Sequence, residues 1–358
     1  MNTDTLRARA LNSIRGINPE SVSDPLYALG IAYDGPYSAG AYLHDLFAGQ
    51  RPDGFIPHFA APHPEAAAPP VFGFLAEIIC QIAKDKELIK PLLRQLYPKI
   101  LAFHDYLYRN RDADEDGILY SVHPAESYFT YSPQWDSIDE KNARVQCPLY
   151  NALAVRSAES MIELGRIIGA DVTPFVRQNE LAVHSLNDKL WNEVDGVYHS
   201  FDLNENRQID GDTAANLLPL IAWIPMQEQT ENMLLNLNDE FFSGTSQAPL
   251  YAFPTYDATA ENTDLSAENR GAVNPFFSWL FCRGLLRYEM WKTAERVRID
   301  LFDLCFDCGF GTHFDARKGA TSYLKNRENP LTAAFVLDLM RIENEMTQSG
   351  NDAGFSVV

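Results

Sequence analysis

The chain has 358 residues, 46% of them hydrophobic and 12% aromatic, which is enough for a large core and too much for one small domain. Its formal net charge of -20 repels phosphate backbones and anionic lipid, so nucleic acid and membrane surfaces are poor partners. No apolar run approaches the roughly 20 residues that cross a bilayer. The first residues, MNTDTLRARALNSIRG, lack an apolar leader core, so the expected location is cytoplasmic. The oligomeric state stays open, a homo-oligomer included.

Helical period dominates from the start. Two short helices are expected over about 25–33 and 36–48, the second ending before Arg51-Pro52-Asp53-Gly54. Pro69-Pro70 opens the next, which runs through Ile82, since proline suits a first helical turn. Leu88, Leu92 and Leu96 mark a helix, and Pro98 begins another, with Ile100, Phe103 and Leu107 on its inner stripe. Leu149, Leu153, Met161, Leu164 and Ile168 line a long helix, and a further one spans about 174–191. Asp195-Gly196 before Val197-Tyr198-His199-Ser200 reads as a turn and an extended piece. Helices resume near 213–222 and 228–236. A long irregular connection from Leu237 to Val273 follows, of the kind that carries function. Helices over about 274–288, 290–307 and 330–347 finish the chain.

About a dozen helices with no low-complexity linker favour one all-α domain over residues 1–358. Paired helices closing into a toroid would bury every apolar stripe and leave a funnel ringed by loops at one end. A solenoid is the competing architecture, and it lacks a fixed-period repeat.

One stretch stands apart: His123 to Ile138, HPAESYFTYSPQWDSI. It crowds a histidine, two carboxylates and four large aromatics into a segment without helical spacing, as a binding loop on a rigid scaffold would. Its plainer reading is a surface crossover packed by its own aromatics. Two other stretches suggest calcium. Asp112-Ala-Asp114-Glu-Asp116-Gly117 opens like a calcium loop but has His123 at position twelve, where calcium prefers a bidentate Glu. Asp202, Asn204, Asn206, Gln208 and Asp210 alternate oxygens, yet Arg207 stands where the turn glycine belongs. Both read better as polar turns, and no metal or cofactor is expected. Cys305 and Cys308 have CxxC spacing but continue the apolar series Ala294, Val297, Leu301, Leu304, so they belong to a helix core. No GxSxG, HExxH or P-loop is present.

Six phrases in order along the chain resemble glycoside hydrolase family 63 and the mannosylglycerate hydrolases related to it. Gln50 and Arg51-Pro52-Asp53-Gly54-Phe55-Ile56-Pro57-His58 resemble the family's "GQ-x-PDGFIPH" loop. The His123 stretch resembles "HPWESGxDNSPRWD", keeping His123, Pro124, Glu126, Ser127, Ser132, Pro133, Trp135 and Asp136. Asn269-Arg270-Gly271 and Trp279-Leu280 resemble "WRGPVW…NWL", and Gly309-Phe310 through Phe314-Asp315 resembles "GFxEYFD". Leu96-Tyr97-Pro98 with the Asp112 turn, and Thr332 to Leu339, resemble the helix and turn leading to the family's site and its closing helix.

The resemblance implies an (α/α)6 toroid with its pocket at the loop end. It aligns the family's general acid with Thr130 and its general base with Thr312, neither of which can act as a carboxyl group does. Asn269 and Asn274 stand for flanking tryptophans, Ala125 for another, and the family's early Trp-Asp phrase finds no match. The expectation is therefore a glycosidase-like barrel for a small sugar-like or polyol-like molecule, with altered, non-hydrolytic chemistry. Two alternatives stand beside it: a catalytically silent sugar-binding or assembly protein, and a residual hydrolase using Asp53 and Asp315. The expected acid–base groups are Glu126, Asp136 and His313, the last bringing an imidazole next to the vacant base position. The expected binding residues are Gln50, Asp53, His123, Tyr128, Tyr131, Trp135 and Arg270.

Overall fold

A computed structural model describes residues 2–83, 85–251, 253–319 and 328–351. Thirteen helices follow in order: α1 (Thr3–Ile14), α2 (Tyr27–Asp34), α3 (Pro36–Leu46), α4 (Phe72–Ile82), α5 (Lys86–Arg111), α6 (Pro148–Ile168), α7 (Thr173–Lys189), α8 (Ala214–Leu217, prolonged by a 3-10 turn to Ile221), α9 (Gln227–Asn238), α10 (Glu240–Ser243), α11 (Pro275–Arg287), α12 (Trp291–Cys308) and α13 (Pro330–Asn351). They form the expected toroid. α2, α4, α6, α8 with its 3-10 turn, α11 and α13 each pack on the next, and α13 returns to α2 to close an inner ring. The outer layer contains α1 against α13, α3 against α2 and α5, α7 against α6, and α12 against α11.

Burial follows the layers. Thirteen residues of α11 include ten that are buried, among them Trp279 and Phe277, whereas α7 buries only Phe175, Ala182 and Leu186. An inner helix touches protein on every side and must be apolar all round; an outer one needs only a stripe. Among the described residues no helix is long and apolar enough to cross a membrane.

Connection lengths orient the ring. Segments from inner to outer helices are short: residue 35, 83–85, 169–172, 222–226 and 288–290. Those from outer to inner helices are long: 15–26, 47–71, 112–147, 190–213, 239–274 and 309–329. Alternation of this kind sets the inner helices parallel, with their N-termini and all the long loops at one end. Pro148, Pro275 and Pro330 start three of these helices, where proline's missing N–H costs nothing.

Three expectations change. Residues 86–111 form one helix, not two, although Pro91 and Pro98 lie inside it. Both prolines are exposed and sit seven residues apart, two turns along the solvent side, where a lost backbone bond is made up by water. The N-terminal helix α1 was not expected; it buries just Leu6, Ala10 and Ile14, a weak stripe that needs α13 to lie on. The connection before α11 is not wholly irregular, since it holds α10 and a two-stranded pair, Gly244–Thr245 with Ala248–Pro249. The Asp195-Gly196 turn forms as expected, joining Trp191–Asn192 to Val197–Tyr198.

Candidate functional site

The loop end gathers the segments that the sequence singled out. Pro124–Ser127 makes a 3-10 turn capped by His123, whose Nδ1 accepts the Ala125 N–H at 3.1 Å. Glu126 completes the box, but its carboxylate does more. Oε1 accepts the Ala67 N–H at 2.6 Å and lies 3.4 Å from Arg111, while Oε2 accepts the Val122 N–H at 2.6 Å and the His123 N–H at 3.3 Å. The side chain is fully buried. Burial lifts its carboxyl above the ordinary value, opposed by Arg111 and the three N–H groups. Both oxygens are committed, so Glu126 fastens the loop to the 47–71 segment instead of exchanging protons with a substrate.

Three further expected residues also turn out to be scaffold. Gln50 Nε2 donates to the carbonyls of Gly54 and Lys99, at 3.1 and 2.9 Å. Asp53 accepts the Phe55 N–H at 3.1 Å and pairs with Arg51 at 3.5 Å, holding a turn whose Gly54 has φ +100°. A Cβ on Gly54 would come 2.1 Å from the Ala102 carbonyl, which is why glycine stands there. Trp135 is buried in the hydrophobic core, because its 3-10 turn tucks it beneath the loop.

The other expected residues reach accessible positions. Arg270 holds Asp136 in a two-point ion pair, with Nη1 2.9 Å from Oδ1, and also donates to the Tyr131 carbonyl at 3.0 Å. The Arg270 guanidinium keeps the Asp136 carboxyl below its usual range. Tyr131 is exposed, and Tyr128 meets Phe276 edge-on at 4.9 Å. His313 Nδ1 lies 3.1 Å from Thr312 Oγ1. Thr130 hands its carbonyl to Asn269 Nδ2 at 2.8 Å, and Asn274 Nδ2 donates to Asn269 Oδ1 at 3.0 Å. The two asparagines thus form a buried polar link where the resemblance aligns tryptophans. Tyr128, Tyr131 and Asn269 all have φ between +56° and +64°. Three strained side-chain-bearing residues on facing loops mark a segment held in place by its surroundings.

Sequence reasoning missed Asp24. It precedes α2, and its Oδ1 accepts the Leu26 N–H at 2.9 Å and the Tyr128 hydroxyl at 2.9 Å, while Tyr42 donates to its carbonyl at 2.8 Å. Burial pushes this carboxyl up to about 6, with the Leu26 N–H and Tyr128 acting the other way. The signal was a carboxylate at the head of the first inner helix, but no tryptophan precedes it. A carboxyl raised in this way costs the fold stability as pH climbs from the unfolded value near 4 to about 6, because the unfolded chain ionises first. Asp24→Asn keeps an oxygen for both donors, so it is expected to stabilise the chain by about 1–2 kcal/mol at pH 8. Chemical denaturation at pH 8 and pH 4 checks this, and the gain should vanish at the lower pH.

Both calcium-like stretches have partners within the protein. Asp112, Asp114 and Asp116 bring carboxylate oxygens within 4.8 Å of one another, and Lys189 Nζ supplies the balancing charge at 2.8 Å from Asp114 and 2.9 Å from Asp116. Asp202 caps its own turn through the Asn204 N–H at 2.8 Å.

A ring of parallel inner helices with a polar, aromatic loop end defines an (α/α)6 toroid. The mannosylglycerate hydrolase MGH1-like glycoside hydrolase domain profile matches residues 26–328, and the chain belongs to that family. Mannosylglycerate hydrolase from Rubrobacter radiotolerans is 25% identical over 374 residues, covering 82% of this chain and 84% of the relative. The enzyme of that name from Thermus thermophilus is 24% identical, covering 76% and 82%. A crystal structure of GH63 mannosylglycerate hydrolase from Thermus thermophilus with Tris and D-glycerate superposes at TM-score 0.83 with 22% identity, over 94% of this chain and all of that one. Its glucose complex gives 0.82 with 23% identity, at the same coverage.

Proposed function

We propose that the chain binds a small sugar-like or polyol-like molecule in its loop-ringed funnel and acts on it by proton transfer rather than by family hydrolysis. An isomerase, lyase or cyclase type of reaction suits the groups present. The observation that carries this reading is the 3.1 Å contact between Thr312 Oγ1 and His313 Nδ1. A hydroxyl within hydrogen-bond distance of an imidazole occupies the position where the resemblance places a general base. In this reading His313 handles one proton, and Asp24 with Tyr128 offers a second exchange point. Asp136 and Arg270 hold hydroxyl or carboxyl oxygens, and Tyr131 and His123 flank the ligand. The relatives are named as mannosylglycerate hydrolases, and one neighbour was crystallised with D-glycerate, so sugar acids are the first compounds to try.

The test combines thermal-shift screening of mannosylglycerate, free sugars and short polyol acids with product analysis by chromatography. A stabilising ligand converted without release of mannose is expected, and His313→Gln should slow that conversion by a factor on the order of a hundred or more. Free mannose from mannosylglycerate at a rate unaffected by His313→Gln would overturn the reading.

A second reading, a silent binding protein, draws support from the number of carboxylates already spent on backbone. Besides Glu126 and Asp53, Asp315 accepts the N–H groups of Arg317 and Lys318, both at 2.9 Å. A ligand that stabilises the chain and is recovered unchanged would favour it. The same bonds count against Asp53 and Asp315 as a substitute hydrolytic pair.

A further inference from the structure

Beside the funnel, a second hollow lies where the loops before α4 and α6 meet. It is a cavity of about 360 Å³ walled by His63, Glu65, Tyr120, Lys141 and Arg144, within the range that suits small ligands. Three of its walls, His63, Lys141 and Arg144, bring N–H donors. His63 Nδ1 accepts the Glu65 N–H at 3.3 Å, which leaves the proton of the neutral ring on Nε2. His123, whose ring centre lies 6.4 Å away, is tied through Nδ1 in the same manner.

The Arg144 guanidinium lies over the Tyr120 ring, 4.6 Å from its centre, and makes no ion pair among the described residues. Lys141 makes no close ion pair through its side chain among the described residues; Asp139, lowered first by the Asn142 side chain and in smaller part by the Lys141 charge, accepts its N–H at 3.2 Å. Arg111, Arg156, Arg270 and Arg283, by contrast, each face a carboxylate. Of the walls, Glu65 alone brings negative charge, and its side chain is exposed to solvent. An arginine held over an aromatic ring offers its planar fork to two acceptor oxygens, and a nearby ammonium adds a point charge.

We propose that this hollow is a second binding site, for a small oxyanion such as the phosphate or carboxylate group of a short polyol ester or acid. Arg144 grips two of its oxygens, Lys141 neutralises charge, and the His63 donor takes what remains. Residues 120–123 run from this wall directly into the capped turn Pro124–Ser127, which Tyr128 ends, so an occupant bears on the funnel loop. The proposal does not depend on the chemistry assigned to the funnel.

Calorimetric titration of the full chain with inorganic phosphate, glycerate and glycerol at low ionic strength tests it. Saturable one-to-one binding of phosphate, of glycerate or of both is expected, and the stronger of the two identifies the preferred anion. Glycerol should give no heat. Arg144→Ala should weaken anion binding by at least about tenfold and Lys141→Ala severalfold, and added salt should weaken it in the parent chain. Lys141 is exposed, so its variant tests the site even if the Arg144 variant folds poorly. No anion binding, binding indifferent to both substitutions, or binding lost in Arg270→Ala but kept in Arg144→Ala would each overturn the proposal.

Discussion

Replacing Glu126 with alanine should cost the fold about 3–5 kcal/mol, the range for breaking a buried ion pair from one side. Arg111 would keep its charge in a buried setting and lose its carboxylate partner 3.4 Å away. The N–H groups of Ala67, Val122 and His123 would lose their acceptor as well, and each such orphan adds to the penalty. Urea denaturation is the direct measurement. A loss under about 1 kcal/mol would show that the loop does not depend on this carboxylate, and would reopen a proton-transfer role for it. Glu126→Gln is the informative companion, because it keeps the shape while its amide group points hydrogens at groups that themselves donate. It should lose a substantial part of the same stability, since a neutral amide cannot balance Arg111.

The second large effect is expected at Asp338, where the ring closes. This carboxylate lies on α13 and is fully buried. It accepts the Trp279 indole N–H at 2.8 Å and Arg283 at 2.5 Å, both from α11, and Arg341 at 2.8 Å from its own helix. Tyr33 of α2 reaches it at 3.5 Å, so three inner helices meet on one side chain. Asp338→Ala removes the carboxylate that Arg283 and Arg341 share and should also cost about 3–5 kcal/mol. Burial raises this carboxyl and the two arginines outweigh it, holding it below the usual value. With a depressed folded value, the contribution is fully present above the unfolded value near 4 and fades as pH falls below it. The difference between parent and variant should therefore narrow on acidification below pH 4. A variant as stable as the parent at pH 7 would mean that packing of α13 against α2 closes the ring unaided.

The same two residues show how far the sequence could be read. Thr332 to Leu339 could be placed on a closing helix from its motif and spacing, and the His123 stretch could be recognised as a loop. That Asp338 binds Trp279 and Arg283, some 55–59 positions earlier, follows only from the ring. The catalytic expectation for Glu126 had a similar basis: a carboxylate in an aromatic loop attracts that role. Sequence cannot reveal that Ala67, 59 positions before it, points an N–H at the same oxygen. Asp24 went unnoticed for the converse reason. Nothing local distinguishes it from any acid ahead of a helix, and its raised carboxyl arises from burial beside Tyr128, 104 positions away.

Local periodicity pointed to an all-α domain, and the order of motifs, through the family resemblance, to a toroid with its loops gathered at one end. Apolar spacing and turn chemistry act over a few residues, so a single chain displays them directly. Which polar side chains are tied into the loops, and which stay accessible, was decided by tertiary structure. A carboxylate's role depends on whichever donors the fold brings to its oxygens, and those donors come from loops far apart along the chain. Folding assigned Glu126, Gln50 and Asp53 to holding the loops together, and left Asp136, Arg270, Tyr131 and His313 at the accessible end.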